Sequence, residues 1–162
     1  MSDNDELLSW VCTALMRIGT RMATEFDHQF AQLRLTQAQF RILLAVYELG
    51  GAEGVAPSLL ADHLLIERGT VSVITRGMIE SGWLARQTGE NRRTFRLTLT
   101  EEGVALLNQA IPRAVTLADY TLAAIPAEQL EQMRENLELV ERVLRDFGPP
   151  KRKDNPEGNS SA

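Results

Sequence analysis

Between Pro57 and Leu99 the apolar residues change period, from steps of three and four to steps of two, and few folds accommodate that change in so short a span. Pro57 suits the first turn of a helix, and Leu59, Leu60 and Leu64 give that helix an apolar side. Leu65, Ile66 and Glu67 read as a turn. A second helix is expected from about Arg68 to Ser81, with Gly82 placed as a C-terminal cap glycine. Trp83 to Gln87 reads as a short strand. Thr94 to Leu99 alternates strictly, with Phe95, Leu97 and Leu99 on one face and Arg96 and Thr98 on the other. Between these strands, Thr88 to Arg93 is turn-rich and charged. Helix, tight turn, helix and a hairpin with a basic tip, in that order, describe a winged helix-turn-helix.

The flanks are helical. Leu8, Val11, Leu15, Ile18, Met22, Phe26, Phe30 and Leu33 fall in steps of three and four, the pattern of one long amphipathic helix. Thr36 is placed to cap a helix that carries Phe40, Leu43, Leu44 and Tyr47 and ends at Gly50-Gly51. After Thr100, another N-cap, helical spacing runs to Phe147. Pro112 is expected to bend that stretch and Pro126 to divide it. Its last helix carries Leu130, Met133, Leu137, Val140, Leu144 and Phe147. From Gly148 the chain is polar with three prolines, and a disordered tail is expected. The expected fold is mainly α with a small β-hairpin. Residues 1–34 and 101–147 serve as N- and C-terminal dimerisation helices, 35–100 as the winged unit, and 148–162 as the tail.

Composition removes several alternatives. No run approaches the roughly twenty apolar residues of a transmembrane helix, and the acidic start Met1–Glu6 lacks the pattern of a signal peptide. The single cysteine, Cys12, cannot support an internal disulfide framework, which fits a cytoplasmic protein with no membrane partner. His28 and His63 are the only histidines and neither opens a metal-ligand spacing. With no phosphate-cradling glycine loop and no nucleophile motif either, no enzyme, cofactor or metal is expected.

The net charge of −5 is the wrong sign for a protein that coats nucleic acid indiscriminately, but the charge is unevenly spread. Arg68 to Arg96 holds six arginines against two acids, whereas Ala127 to Phe147 holds three arginines against six acids. A basic centre between acidic ends is a local electrostatic footprint. Arg68, Thr70, Ser72 and Arg76 open the second helix of the pair, the element whose first residues reach base edges in a major groove. Hydroxyls and arginines donate to phosphates and to base acceptors. Arg92 and Arg93 at the hairpin tip suit the narrow negative field of an adjacent minor groove. Taken alone, those arginines would describe only a solvated surface; their order along the elements points to double-stranded DNA.

The segments LTQAQFRILLAVYELGG (35–51), PSLLADHLLIERGTVSVITRGMIESGWLAR (57–86) and NRRTFRLTLTEEG (91–103) resemble those of the MarR (multiple antibiotic resistance regulator) family, a likeness extending over about residues 7 to 147. The family's wing pattern D-x-R-x-x-x-V-x-L-T is represented by Asn91, Arg93, Leu97, Leu99 and Thr100. The resemblance implies Arg93 as a wing contact and Thr70, Ser72 and Arg76 as recognition-helix contacts. It also implies a homodimer whose terminal helices interleave, setting two recognition helices about 34 Å apart on successive major grooves. Three positions depart. Asn91 replaces an aspartate, Val73 stands where many members carry a basic residue, and Gly77 lies inside the recognition helix, where glycine either permits close packing or loosens it.

The implied function is a transcriptional repressor that binds a pseudo-palindromic operator and is released by a small aromatic or phenolic acid. Arg21 and Phe40 are candidates for pairing the carboxylate and walling the ring, although Arg21 reads equally as a solvated helix charge. Cys12 reads by default as a small buried hydrophobe. The family's peroxide-sensing branch keeps a reactive cysteine in the first helix, with tyrosines nearby. Here Tyr47 and Tyr120 lie elsewhere, so the thiol is expected to react slowly. Two alternatives stand beside the ligand-released repressor: a redox-sensing regulator using Cys12, and a winged-helix protein-interaction module without DNA binding.

Overall fold

The computed structural model describes residues 2–88 and 94–147. Its elements are α1 (Asp3–Phe30), a 3-10 turn (Ala31–Leu33), α2 (Gln37–Gly50), α3 (Pro57–Leu64), α4 (Arg68–Glu80), β1 (Leu84–Thr88), β2 (Phe95–Leu99), α5 (Glu101–Leu122) and α6 (Ala127–Asp146). Residues up to Ile125 form one compact unit, and the chain from Pro126 forms another.

Local chemistry sets most helix ends in the first unit. Ser2 and Asp5 close a capping box on α1, and Thr36 and Gln39 close one on α2. Asp27, on α1, adds a second acceptor at the start of α2, its Oδ1 taking the Gln37 N–H at 2.6 Å. The long first helix expected to reach Leu33 instead tightens into the 3-10 turn, which ends on Arg34 in the left-handed region at φ 53°. Between α3 and α4 the turn is made by Leu65 at φ 54°, and Arg41 of α2 donates to the Leu64 carbonyl at 2.8 Å. After α4, Gly82 at φ 77° lets its own N–H reach Ile79 O and that of Trp83 reach Met78 O, the two bonds of a Schellman cap.

The hairpin is antiparallel with Leu84 opposite Leu99 and Thr88 opposite Phe95, so β1 lies one residue later than its spacing predicts. A third backbone joins the sheet at one point: Val55 and Leu97 exchange both hydrogen bonds at 2.9 Å. That pairing brings Gly54 against β2, where a Cβ would stand 2.7 Å from Leu97 O. Thr100 caps α5 through the Gly103 N–H and also donates to Gly82 O at 2.6 Å, fixing the hairpin's end to the end of α4. Pro112 does not interrupt α5, which continues as one helix to Leu122.

A single core cluster holds this unit together. Phe30, Ile42, Leu43, Leu60, Met78, Leu97 and Leu107 are fully enclosed, so the end of α1, the helix pair, the hairpin and α5 all share it. The first two-thirds of α1 is different, with Leu7, Leu8, Trp10, Val11, Met16 and Ile18 exposed and only Ala14 buried. In the second unit, α6 buries no residue at all, and Met133, Leu137, Val140, Val143 and Leu144 are exposed along it. Arg134 bonds both Glu131 and Glu138 there and holds the Glu131 carboxyl below the usual carboxylate range.

Candidate nucleic-acid interface

α4 presents two chemically distinct faces. Val71, Thr75 and Met78 are buried against the core, and the Thr75 hydroxyl is satisfied by donating to Val71 O at 2.8 Å. On the opposite side Gly69, Ser72, Val73, Arg76 and Glu80 recur at steps of three and four, flanked by Arg68 and Thr70, and all of them are exposed. Arg68, Thr70, Ser72, Val73 and Arg76 are thereby brought onto one outward surface. The N-cap residue Glu67 makes no side-chain cap bond. The first-turn N–H groups of an α-helix have no intrahelical acceptor, so this end of α4 can donate to phosphate oxygens.

The wing divides the remaining basic residues. Arg86 lies over the Phe95 ring at 4.3 Å, a cation–π contact that ties β1 to β2. Arg96 donates to Gly54 O at 3.1 Å, bracing the hairpin against the loop after α2. Both arginines are therefore partly engaged within the fold. Arg92 and Arg93, and with them Asn91, lie outside the described residues.

The effector and redox candidates fall in separate places. Arg21 is on the exposed side of α1, paired with Glu25 at 2.5 Å, and borders a shallow concavity of about 470 Å³ with Met16, Arg17, Thr20 and Thr24. Phe40 does not face it. Its ring packs 4.7 Å from that of Phe30 inside the core, so Arg21 and Phe40 do not share one cavity wall in the subunit. Cys12 is exposed rather than buried, because the stretch of α1 that carries it leaves its apolar side uncovered in the subunit. His63 is exposed on α3, and His28 faces Glu25 on α1. Among the described residues, no three His, Cys, Asp or Glu side chains are grouped to hold a metal ion, and no helix is long and apolar enough to cross a membrane.

Among the described residues, four positioning side chains escape a reading along the chain: Arg41, Arg96, Asp27 and Arg113, each bonding backbone in a different element. Their residue types gave no signal, since a charged residue on a helix or strand is ordinarily solvated.

Two helices joined through a left-handed turn, followed by a hairpin and an outward polar helix face, define a winged helix-turn-helix protein. Residues 35–94 match the model of the MarR family. The chain is 27% identical over 135 residues to the HTH-type transcriptional regulator PecS of Dickeya dadantii, covering 83% of this chain and 81% of that one. Its fold is similar to that of CouR from Rhodococcus jostii RHA1 bound to p-coumaroyl-CoA, with a TM-score of 0.74 and 21% identity over 81% of this chain and 91% of that one. The S. aureus MepR–DNA complex is similar too, with a TM-score of 0.73 and 20% identity over 82% and 96% of the two chains. Over residues 35–94 the chain thus matches the MarR family, and its winged fold is similar to that of regulators of this type.

Proposed function

We propose that the protein is a homodimeric repressor that binds a pseudo-palindromic operator in the cytoplasm. Residues 35–100 read DNA in this scheme, and residues 1–34 and 101–147 pair the subunits. The observation that carries the reading is the outward face of α4, where Arg68, Thr70, Ser72 and Arg76 are exposed while the opposite face is locked into the core. Rigid backing of that kind lets a helix enter a groove without losing its position. The MepR–DNA complex, similar in fold, supports DNA as the partner.

Pairing is supported by the apolar faces of α1 and α6. Burying a Leu, Val or Ile side chain contributes about 1.5–3 kcal/mol, and both helices carry several such residues in water. A second copy of each face covers them without a new partner.

A small aromatic or phenolic acid is the proposed releasing ligand. Arg21, beside the concavity on α1, supplies a carboxylate partner, and CouR with p-coumaroyl-CoA supports an aromatic acyl group as the class. Oxidation at Cys12 is a second reading, motivated by a thiol that is exposed in the single subunit, on the stretch of α1 that pairing would cover.

Titration into duplexes from the region upstream of the gene, at rising salt, tests the core of this reading. Binding should weaken steeply as salt rises, because neutralised phosphates release counterions. Arg93→Ala should weaken all sequences, whereas Thr70→Ala or Ser72→Ala should blunt discrimination between them. Wild-type behaviour in all three places the recognition surface elsewhere, and absence of any binding favours a protein-interaction module. Release by p-coumarate that Arg21→Ala abolishes supports the ligand reading; release by peroxide that Cys12→Ser abolishes supports the redox one.

A further inference from the structure

We propose that Val73 reads the methyl group of a thymine in each operator half-site, using a notch left open by Gly69. The inference rests on α4 being the recognition helix and names what one of its positions recognises.

Val73 is 67% exposed in the middle of the outward face of α4. Its flanking residues there, Ser72 and Arg76, are polar, and the apolar residues that the fold needs from this helix, Val71 and Met78, point the other way. Valine is a weaker helix former than alanine because its χ1 is restricted, so the position gains nothing in the free subunit from being valine. Nor does it continue the apolar faces proposed for pairing, which run along α1 and α6.

A helical side chain leans over the turn before it, so the Val73 methyls overhang the turn that holds Gly69, four residues earlier. Nothing lies within 4 Å of the place a Cβ would occupy on Gly69. The Val73 methyls therefore stand on the outward face with open space over Gly69, between a hydroxyl and a guanidinium. Among the groups that base edges display in a major groove, the thymine C5-methyl is the apolar one, and side-chain methyls are its ordinary partners. A basic residue at position 73 would contact phosphate whatever the sequence; valine exchanges that contact for a preference between bases.

The experiment uses the operator duplex that the full-length protein protects from nuclease. Each thymine of the half-site is replaced in turn by deoxyuridine, symmetrically in both halves, which removes the methyl and keeps the base pair. Affinities are measured by fluorescence anisotropy at fixed salt for wild type, Val73→Ala and Gly69→Ala. Both variants place alanine in a helix, so folding is not the confounding variable. At one thymine position, loss of the methyl should weaken wild type about fourfold per half-site, or about fifteenfold for the pair, the worth of one buried methyl group. Val73→Ala should bind the parent duplex about as weakly and should not respond to deoxyuridine there; Gly69→Ala should likewise lose the response. Specific binding with no thymine position at which the methyl matters overturns the proposal and leaves the recognition-helix reading intact. So does a methyl effect that persists undiminished in Val73→Ala. Failure to bind any duplex overturns both.

Discussion

Gly77 and Gly103 are both helical, and the space around each gives them opposite meanings. Nothing lies within 4 Å of a Cβ built on Gly77, so close packing does not account for the glycine. It loosens α4, and Gly77→Ala should stabilise the protein by roughly 0.5–1 kcal/mol, read as a higher urea midpoint at fixed protein concentration. A Cβ on Gly103 would collide with the Trp83 carbonyl oxygen. Gly103→Ala should therefore cost about 1–3 kcal/mol by overpacking, lowering the midpoint and prising the start of α5 from the hairpin. Caps such as Pro57, Thr36, Thr100 and Gly82 were legible in the sequence because a cap and its helix are neighbours in the chain. Gly54, Gly103 and Arg41 were not, since their meaning comes from backbone brought close by folding: β2 for Gly54, Trp83 for Gly103 and the end of α3 for Arg41.

The elements that point α4 outward are joined by few polar contacts, and Thr100 makes two of them. Its side chain caps α5 and donates to Gly82 O, the residue that terminates α4. Thr100→Ala should cost roughly 1–2 kcal/mol and loosen the hairpin against α4, seen as faster amide hydrogen exchange at Leu84 and Leu99 with α2 unaffected. The bounds of α2, α3, α4 and the hairpin followed from hydrophobic period and turn chemistry to within a residue or so, whereas the first helix ends at Phe30 and not at Leu33. The pairing of Val55 with Leu97 did not, because a single bridge leaves no repeating pattern in the chain. The placement of Phe40 was missed for a related reason. An aromatic on an amphipathic helix reads alike whether it walls a cavity or stacks on another ring, and only folding puts Phe30 beside it.

At the scale of the whole molecule, the apolar residues exposed on α1 and those exposed on α6 are the surfaces that the proposed pairing would cover. Sedimentation of the purified protein at micromolar concentration should give the mass of two chains. A charge placed in each face, in the double variant Val11→Asp with Val143→Asp, should return the mass of one, while circular dichroism keeps the signal of the winged unit. In the proposed dimer, pairing would also set function, because two outward α4 faces held about 34 Å apart would match half-sites one helical turn apart on the same side of DNA. The account's central claim is therefore tested most directly by spacing. Affinity is measured for a duplex with the native inverted repeat and for one with about five base pairs, half a helical turn, inserted between its halves. Pairing through fixed helices predicts that the insertion drops binding to the level of an isolated half-site, with two chains bound to the native duplex. Equal affinity for both duplexes, with one chain bound independently at each half, would contradict it.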